Sequence, residues 1–117
     1  MAYLRHLFNG TTVTIYELRD AITIGRHPNC QIRVDDPTVS GHHASLSPED
    51  EGWFLQDVGS TNGVLVKSKK VDRLLMEPGC LFEIGTHEFE FFDELPNDLG
   101  RTLKIKKSWI PGVYYTE

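Results

Sequence analysis

Turns recur along this 117-residue chain at intervals that leave room only for brief strands. Asn9-Gly10, Pro28-Asn29, Asp36-Pro37, Asp50-Glu51-Gly52, Asn62-Gly63, Pro78-Gly79 and Gly85 punctuate it. Each is a residue, pair or triplet that favours a reversal of the backbone over its continuation. The segments between them are β-branched, aromatic or alternating. They are Thr12–Tyr16, Ala21–Ile24, Gln31–Val34, His43–Leu46, Trp53–Gln56, Val64–Val66, Cys80–Ile84 and His87–Phe92. No stretch shows a convincing helical period, and there is no internal repeat. Many short strands at near-even spacing predict an all-β fold, a sandwich or a barrel. The 80–92 segment is expected to be a hairpin closing over Gly85-Thr86.

The length suits one domain. Its body is expected to end near Phe92, so that residues 1–92 form the domain. Residues 93–100, polar with Pro96 and Gly100, read as a linker. Residues 101–117 hold Leu103, Ile105, Trp109, Ile110, Val113, Tyr114 and Tyr115, too much apolar surface for a spacer. Three fates stay open for this tail: packing as an added strand, docking on a neighbouring chain, or opening a further region. The charge is split along the same line. Residues 1–100 carry 8 basic and 16 acidic side chains, net −8, whereas residues 101–117 carry 4 basic and 1 acidic, net +3. An acidic body repels nucleic acid, so no nucleic-acid partner is expected. An anion would have to be held by a few placed donors and not by a broad basic field. No apolar run approaches the ~20 residues of a membrane helix, and the start lacks the pattern of a signal peptide. No membrane association and a cytoplasmic location are therefore expected. Cys30 and Cys80 form no CxxC pair and read as free thiols, buried or half-buried.

Three clusters fall in loops between the strands: Gly25-Arg26, Ser40-Gly41-His42-His43, and Asp57-Val58-Gly59-Ser60-Thr61-Asn62-Gly63. Gly-Arg, then Ser-x-x-His, then Leu-x-Asp-x-x-Ser-Thr-Asn-Gly, in that order and spacing, resembles the signature of forkhead-associated (FHA) domains. Pro78-Gly79-Cys80-Leu81-Phe82-Glu83-Ile84-Gly85 resembles the family's penultimate strand and turn. The similarity spans roughly residues 3–92. It implies a β-sandwich of two mainly antiparallel sheets with binding loops at one end, and a module that recognises phosphothreonine in partner proteins without catalysing anything.

The resemblance assigns phosphate contact to Arg26, Ser40 and Thr61, and grip on the peptide main chain to Asn62. The residue types suit the task. A phosphothreonine carries about −1.5 to −2 charge and three acceptor oxygens. Arg26 offers a planar fork of donors, Ser40 and Thr61 offer short hydroxyls, and Asn62 offers both a donor and an acceptor. Gly41 stands where many relatives carry a polar or basic side chain that also reaches the phosphate; that contact is missing here, so the expected site is either weaker or leans on backbone N–H groups of Ser40-Gly41. Gly25, His43, Asp57, Ser60 and Gly63 are expected to support the site: Gly25 by close backbone approach, His43 as an inward-pointing brace, Asp57 and Ser60 by tying their loop to itself, and Gly63 by completing the Asn-Gly turn. His42 is expected to be exposed. Asn29, Thr38 and His42 are candidates for selecting residues after the phosphothreonine. The implied partner is a phosphothreonine-containing protein, the substrate of a Ser/Thr kinase. The tail is a candidate for self-association, and phosphorylated Thr102 or Thr116 for occupying the domain's own site.

Each residue has a plainer reading, as a surface arginine, a turn-capping serine or a turn asparagine. A hydrolase built on Ser40, His42 or His43, and Asp57 lacks a nucleophile elbow. A metal site at His42-His43 would need two adjacent residues, which face opposite ways on a strand, to converge. No metal and no cofactor are expected. The Lys67-Ser68-Lys69-Lys70 turn is expected at the opposite end of the sandwich from the binding loops, as a solvated hairpin tip. The main alternative is a phosphate-independent FHA scaffold that joins an assembly through its sheet face or tail.

Overall fold

A computed structural model describes residues 2–94 together with the backbone of 105–107 and 113–116. Among these residues there is no helix, and the strands form two sheets packed face to face. The larger sheet runs β12 (Ile105–Lys107), β13 (Val113–Thr116), β2 (Thr11–Leu18), β1 (Ala2–Phe8), β11 (His87–Phe92), β10 (Leu81–Ile84), β7 (Val64–Val66) and β8 (Lys69–Val71). The smaller runs β4 (Ile32–Arg33), β3 (Ile22–Gly25), β5 (Ala44–Glu49), β6 (Gly52–Asp57) and β9 (Arg73–Leu75). Every pairing is antiparallel except β3 with β4, which is parallel. The fold is the expected all-β sandwich.

Period-2 alternation builds the core. On β11, Phe89 and Phe91 point inward; on β10, Phe82 and Ile84 do so. They meet Leu4 from β1 and, from the facing sheet, Ile24, Ala44, Leu46 and Leu55, all 0% exposed. Phe82 and Phe89 stack with centroids 5.3 Å apart. The β10–β11 hairpin closes over Gly85-Thr86 with Ile84 opposite His87. Its Gly85 has φ +60, the positive value that a tight two-residue hairpin turn requires. Asn9 and Gly10, with φ 52 and 76, make the β1–β2 turn in the same way.

Within residues 2–94, three strands were not among the expected segments: β1, and the short β8 and β9 after the Lys67-Ser68 turn. That turn sits at the end of β7 opposite Gly63, away from the loop cluster. Beyond Glu94 the expected 93–100 linker lies outside the described residues, as does much of the 101–117 tail. Of the tail, the backbone of β13 pairs with β2, Tyr114 standing opposite Ile15, and β12 pairs outside it. Both cysteines are free, Cys30 buried and Cys80 half-buried.

Candidate functional site

The sandwich collects three loops at one end: 26–31 after β3, 34–43 between β4 and β5, and 58–63 between β6 and β7. Backbone bonds lock them together. Arg26 N–H donates to Ser40 O (2.9 Å) and His27 N–H to Gly41 O (3.0 Å). Gly25 permits this approach. A Cβ there would strike the Gly41 carbonyl oxygen and lie 3.0 Å from Cys30 Sγ, which itself donates to Gly41 O. Burial pushes the Cys30 thiol up, so it packs as an unreactive side chain.

His43 is fully buried and ties two loops to one point. Its Nδ1 accepts from Ser40 N–H at 3.0 Å. The ring is therefore the Nε2–H tautomer, and Nε2 donates to Gly63 O at 2.7 Å. Asp57 organises the third loop from inside. Its carboxylate accepts from Gly59 N–H (2.9 Å), Ser60 N–H (2.8 Å) and Ser60 Oγ–H (2.8 Å). Burial alone would raise this carboxyl, but the Ser60 and Gly59 bonds outweigh it and hold Asp57 below the usual carboxylate range. Ser60 Oγ in turn accepts from Gly63 N–H at 2.9 Å.

These braces shape an open groove of about 740 Å³, lined by Arg26, Ser40, Gly41, Thr61 and Asn62, with His27, Thr38 and His42 beside them. Arg26, Ser40 and Thr61, drawn from three separate loops, all line this one groove. Ser40 Oγ accepts from Thr61 N–H at 3.0 Å, which leaves its own proton to donate outward. Among the described residues nothing pairs with the Thr61 hydroxyl. Arg26 is half exposed, and its Nε lies 3.7 Å from Asp35 Oδ1, a weak contact that leaves the guanidinium accessible. Arg33 buttresses the same loop by donating from Nε to Arg26 O at 3.0 Å.

Asn62 grips part of the protein itself: its Nδ2 donates to Thr38 O at 2.8 Å. Of the three candidates for selectivity, Thr38 and His42 line the groove. Asn29 does not; its N–H donates to His27 Nδ1. His42 is exposed and stacks on His27 with centroids 5.0 Å apart. Sequence reasoning missed His27, since only the fold brings it to His42. It also missed Asp36, whose carboxylate receives the N–H of Thr38, although Asp-Pro-Thr is a recognisable side-chain turn. Among the described residues no group of three or more His, Cys, Asp or Glu side chains is placed to hold a metal ion. With no helix among the described residues, none is present that is long and apolar enough to cross a membrane.

Two mainly antiparallel sheets packed face to face, with three loops gathered at one end, place the chain in the class of all-β sandwiches. The sequence matches the FHA domain over residues 22–85, and the chain belongs to that family. It is 40% identical over 75 residues to the glycogen accumulation regulator GarA of Mycobacterium tuberculosis, covering 63% of this chain and 46% of GarA. It is 36% identical over 90 residues to the FHA domain-containing protein FhaB of Mycolicibacterium smegmatis, 69% of this chain and 58% of FhaB. The chain thus spans about half the length of the curated relatives it matches. Among solved structures, the FhaA FHA domain complexed with the intracellular domain of Rv3910 superposes with a TM-score of 0.70 at 27% identity, covering 78% of this chain and 99% of that one.

Proposed function

We propose that this FHA domain binds phosphothreonine peptides in the groove between Arg26, Ser40 and Thr61 and acts as a non-catalytic module for signalling or assembly. The observation that carries the reading is the convergence of one accessible guanidinium, two hydroxyls free to donate, and the Ser40-Gly41 backbone along a single groove. A phosphate there would accept a fork from Arg26 and short bonds from Ser40 and Thr61, displacing Asp35 from the Arg26 Nε. Gly41 contributes no side chain, so its share falls to the main chain. Asn62 spans the groove to Thr38 and presents its Oδ1 to the peptide backbone. Three or four charge-assisted bonds, less the cost of ordering a peptide, correspond to roughly micromolar affinity. The partner is a protein phosphorylated on threonine by a Ser/Thr kinase. A structural relative, EmbR of Mycobacterium tuberculosis, is known in complex with a low-affinity phosphopeptide.

The test is calorimetry against a phosphothreonine peptide library with the unphosphorylated set as control. Micromolar binding of phosphorylated members only, lost in Arg26→Ala while the fold stays cooperative, is the expected outcome. A phosphate-independent scaffold would treat both sets alike, and unchanged affinity in Arg26→Ala would remove that residue from the site.

A further inference from the structure

One wall of the groove is held by a chain of polar side chains that ends deep in the other sheet. Asp36 Oδ1 accepts from the N–H and the hydroxyl of Thr38 at 2.8 and 2.5 Å. Its Oδ2 accepts from Thr86 Oγ1 at 2.7 Å and faces His87 Nε2 at 3.3 Å. His87 Nδ1 lies 2.7 Å from Nε2 of His6, only 6% exposed and stacked on Phe89 with centroids 4.6 Å apart. The order of protons follows from the far end. Three hydrogen bonds converge on Asp36, which is held well below the usual carboxylate range by these Thr38 and Thr86 bonds and is ionised. His87 Nε2 faces this carboxylate at 3.3 Å, an electrostatic contact that favours the ring proton on Nε2. In the neutral ring its Nδ1 then accepts, and His6 Nε2–H donates to it. Independent of these bonds, Gly85 is pressed against the same wall: a Cβ there would strike Thr38 Oγ1 and lie 3.0 Å from Val39 Cγ2.

Building on the peptide-groove reading, we infer that His6, His87 and Asp36 form a positioning relay that sets the Thr38 wall, and with it Asn62, so that the groove is responsive to protonation of the buried His6. None of the three touches the peptide. The relay acts through Thr38, whose carbonyl receives Asn62 Nδ2 at 2.8 Å. A proton gained by His6 beside the charge of His87 sets N–H against N–H across 2.7 Å and breaks the chain at His6. Burial, and then the charge of His87, lower the His6 pKa to about 4. Among the described residues, the titratable groups facing His6 on this inner face are His87 from β11 and, beyond it, Asp36 from the 34–43 loop. Thr14 of β2 and Phe89 of β11 flank His6 across the strands, and Arg5, Glu88 and Glu90 alternate to the outer face.

The test separates the relay from the peptide reading. In ligand-free protein, the Thr38 N–H and Asn62 side-chain amide signals are followed by NMR against the His6 ring from pH 7.5 down to pH ~3.5, bracketing the His6 midpoint. In the native chain all three are expected to share one midpoint. In His87→Phe, which keeps a ring against Phe8, the Thr38 and Asn62 signals should no longer follow His6; Asp36→Asn serves as a second variant should the first fail to fold. Thr38 and Asn62 signals indifferent to His6 in the native chain would overturn the relay, whatever the protein binds. At pH 7.5 a phosphothreonine peptide should bind either variant about tenfold more weakly. Variants that bind it as tightly as the native chain would overturn the relay as a determinant of affinity. Absence of peptide binding to the native chain, with the shared midpoint intact, would instead refute the groove reading.

Discussion

The Ser40–Thr61 side of the groove and the Asp36–Thr38 side are held by different means. The first is fixed by backbone bonds, by one buried imidazole whose two partners, Ser40 N–H and Gly63 O, do not titrate, and by the Asp57 carboxylate, which its hydrogen bonds hold below the usual carboxylate range. The second is tied to the opposite sheet through a carboxylate and two histidines. A rigid wall suits a phosphate, whose small, highly charged group rewards fixed donors. A wall held by titratable side chains, placed where the peptide main chain would run, can be loosened without dismantling the anion site.

The contrast can be broken most forcefully at His43. His43→Ala removes two buried bonds and leaves a cavity, and should cost about 3 kcal/mol, seen as a fall in melting temperature of the order of 10–20 °C. Peptide affinity measured well below the new melting temperature should fall much less than in Arg26→Ala. Loss of binding at full stability would make His43 a ligand and not a brace.

Acid should act chiefly on the other wall. The folded-state pKa of His6 is lowered to about 4 from 6.5. Between those values the unfolded chain binds more protons, so stability falls as the pH drops from about 7 toward 4, by up to about 3 kcal/mol. Asp57, with its pKa also lowered, extends the same slope below its unfolded value near 4. Denaturant melts at pH 7, 5.5 and 4.5 should show the decline, and His6→Phe should flatten its upper part. A native chain equally stable at pH 7 and 4.5 would refute the burial of a neutral His6.

The smallest effect is expected at Asp35, the exposed carboxylate beside Arg26. Asp35→Ala frees the guanidinium and removes a like charge near the phosphate. Affinity should rise about two- to fivefold at low salt and by less at high salt, as befits an exposed pair. Weaker binding in the variant would show that Asp35 orients Arg26 instead of competing for it.

What could be read from the sequence follows the range of the interactions involved. Strands rich in Val, Ile, Thr and aromatics, such as Trp53–Gln56 or His87–Phe92, declare themselves by local alternation. β1, with the sequence Ala-Tyr-Leu-Arg-His-Leu-Phe, contains no β-branched residue, and its burial is decided by β2 and β11 on either side. β8 and β9 are three residues each and charged, too short for a period to show. Arg26, Ser40 and the 57–63 loop could be picked out because each sits in a compact motif. The His6–His87 pair could not: the two are 81 residues apart, and each alone resembles an ordinary strand histidine. Asn62 shows the same limit, since its bond to Thr38 spans 24 residues that the turn signal says nothing about.

The most direct test of the phosphate groove is a titration of the 15N-labelled protein with one phosphothreonine peptide, read residue by residue. The largest shifts are expected at the backbone amides of Arg26, Ser40, Gly41, Thr61 and Asn62, absent when the unphosphorylated peptide is added. Shifts gathered instead on the second groove between Leu65, Leu75 and Leu81, or equal for both peptides, would contradict it.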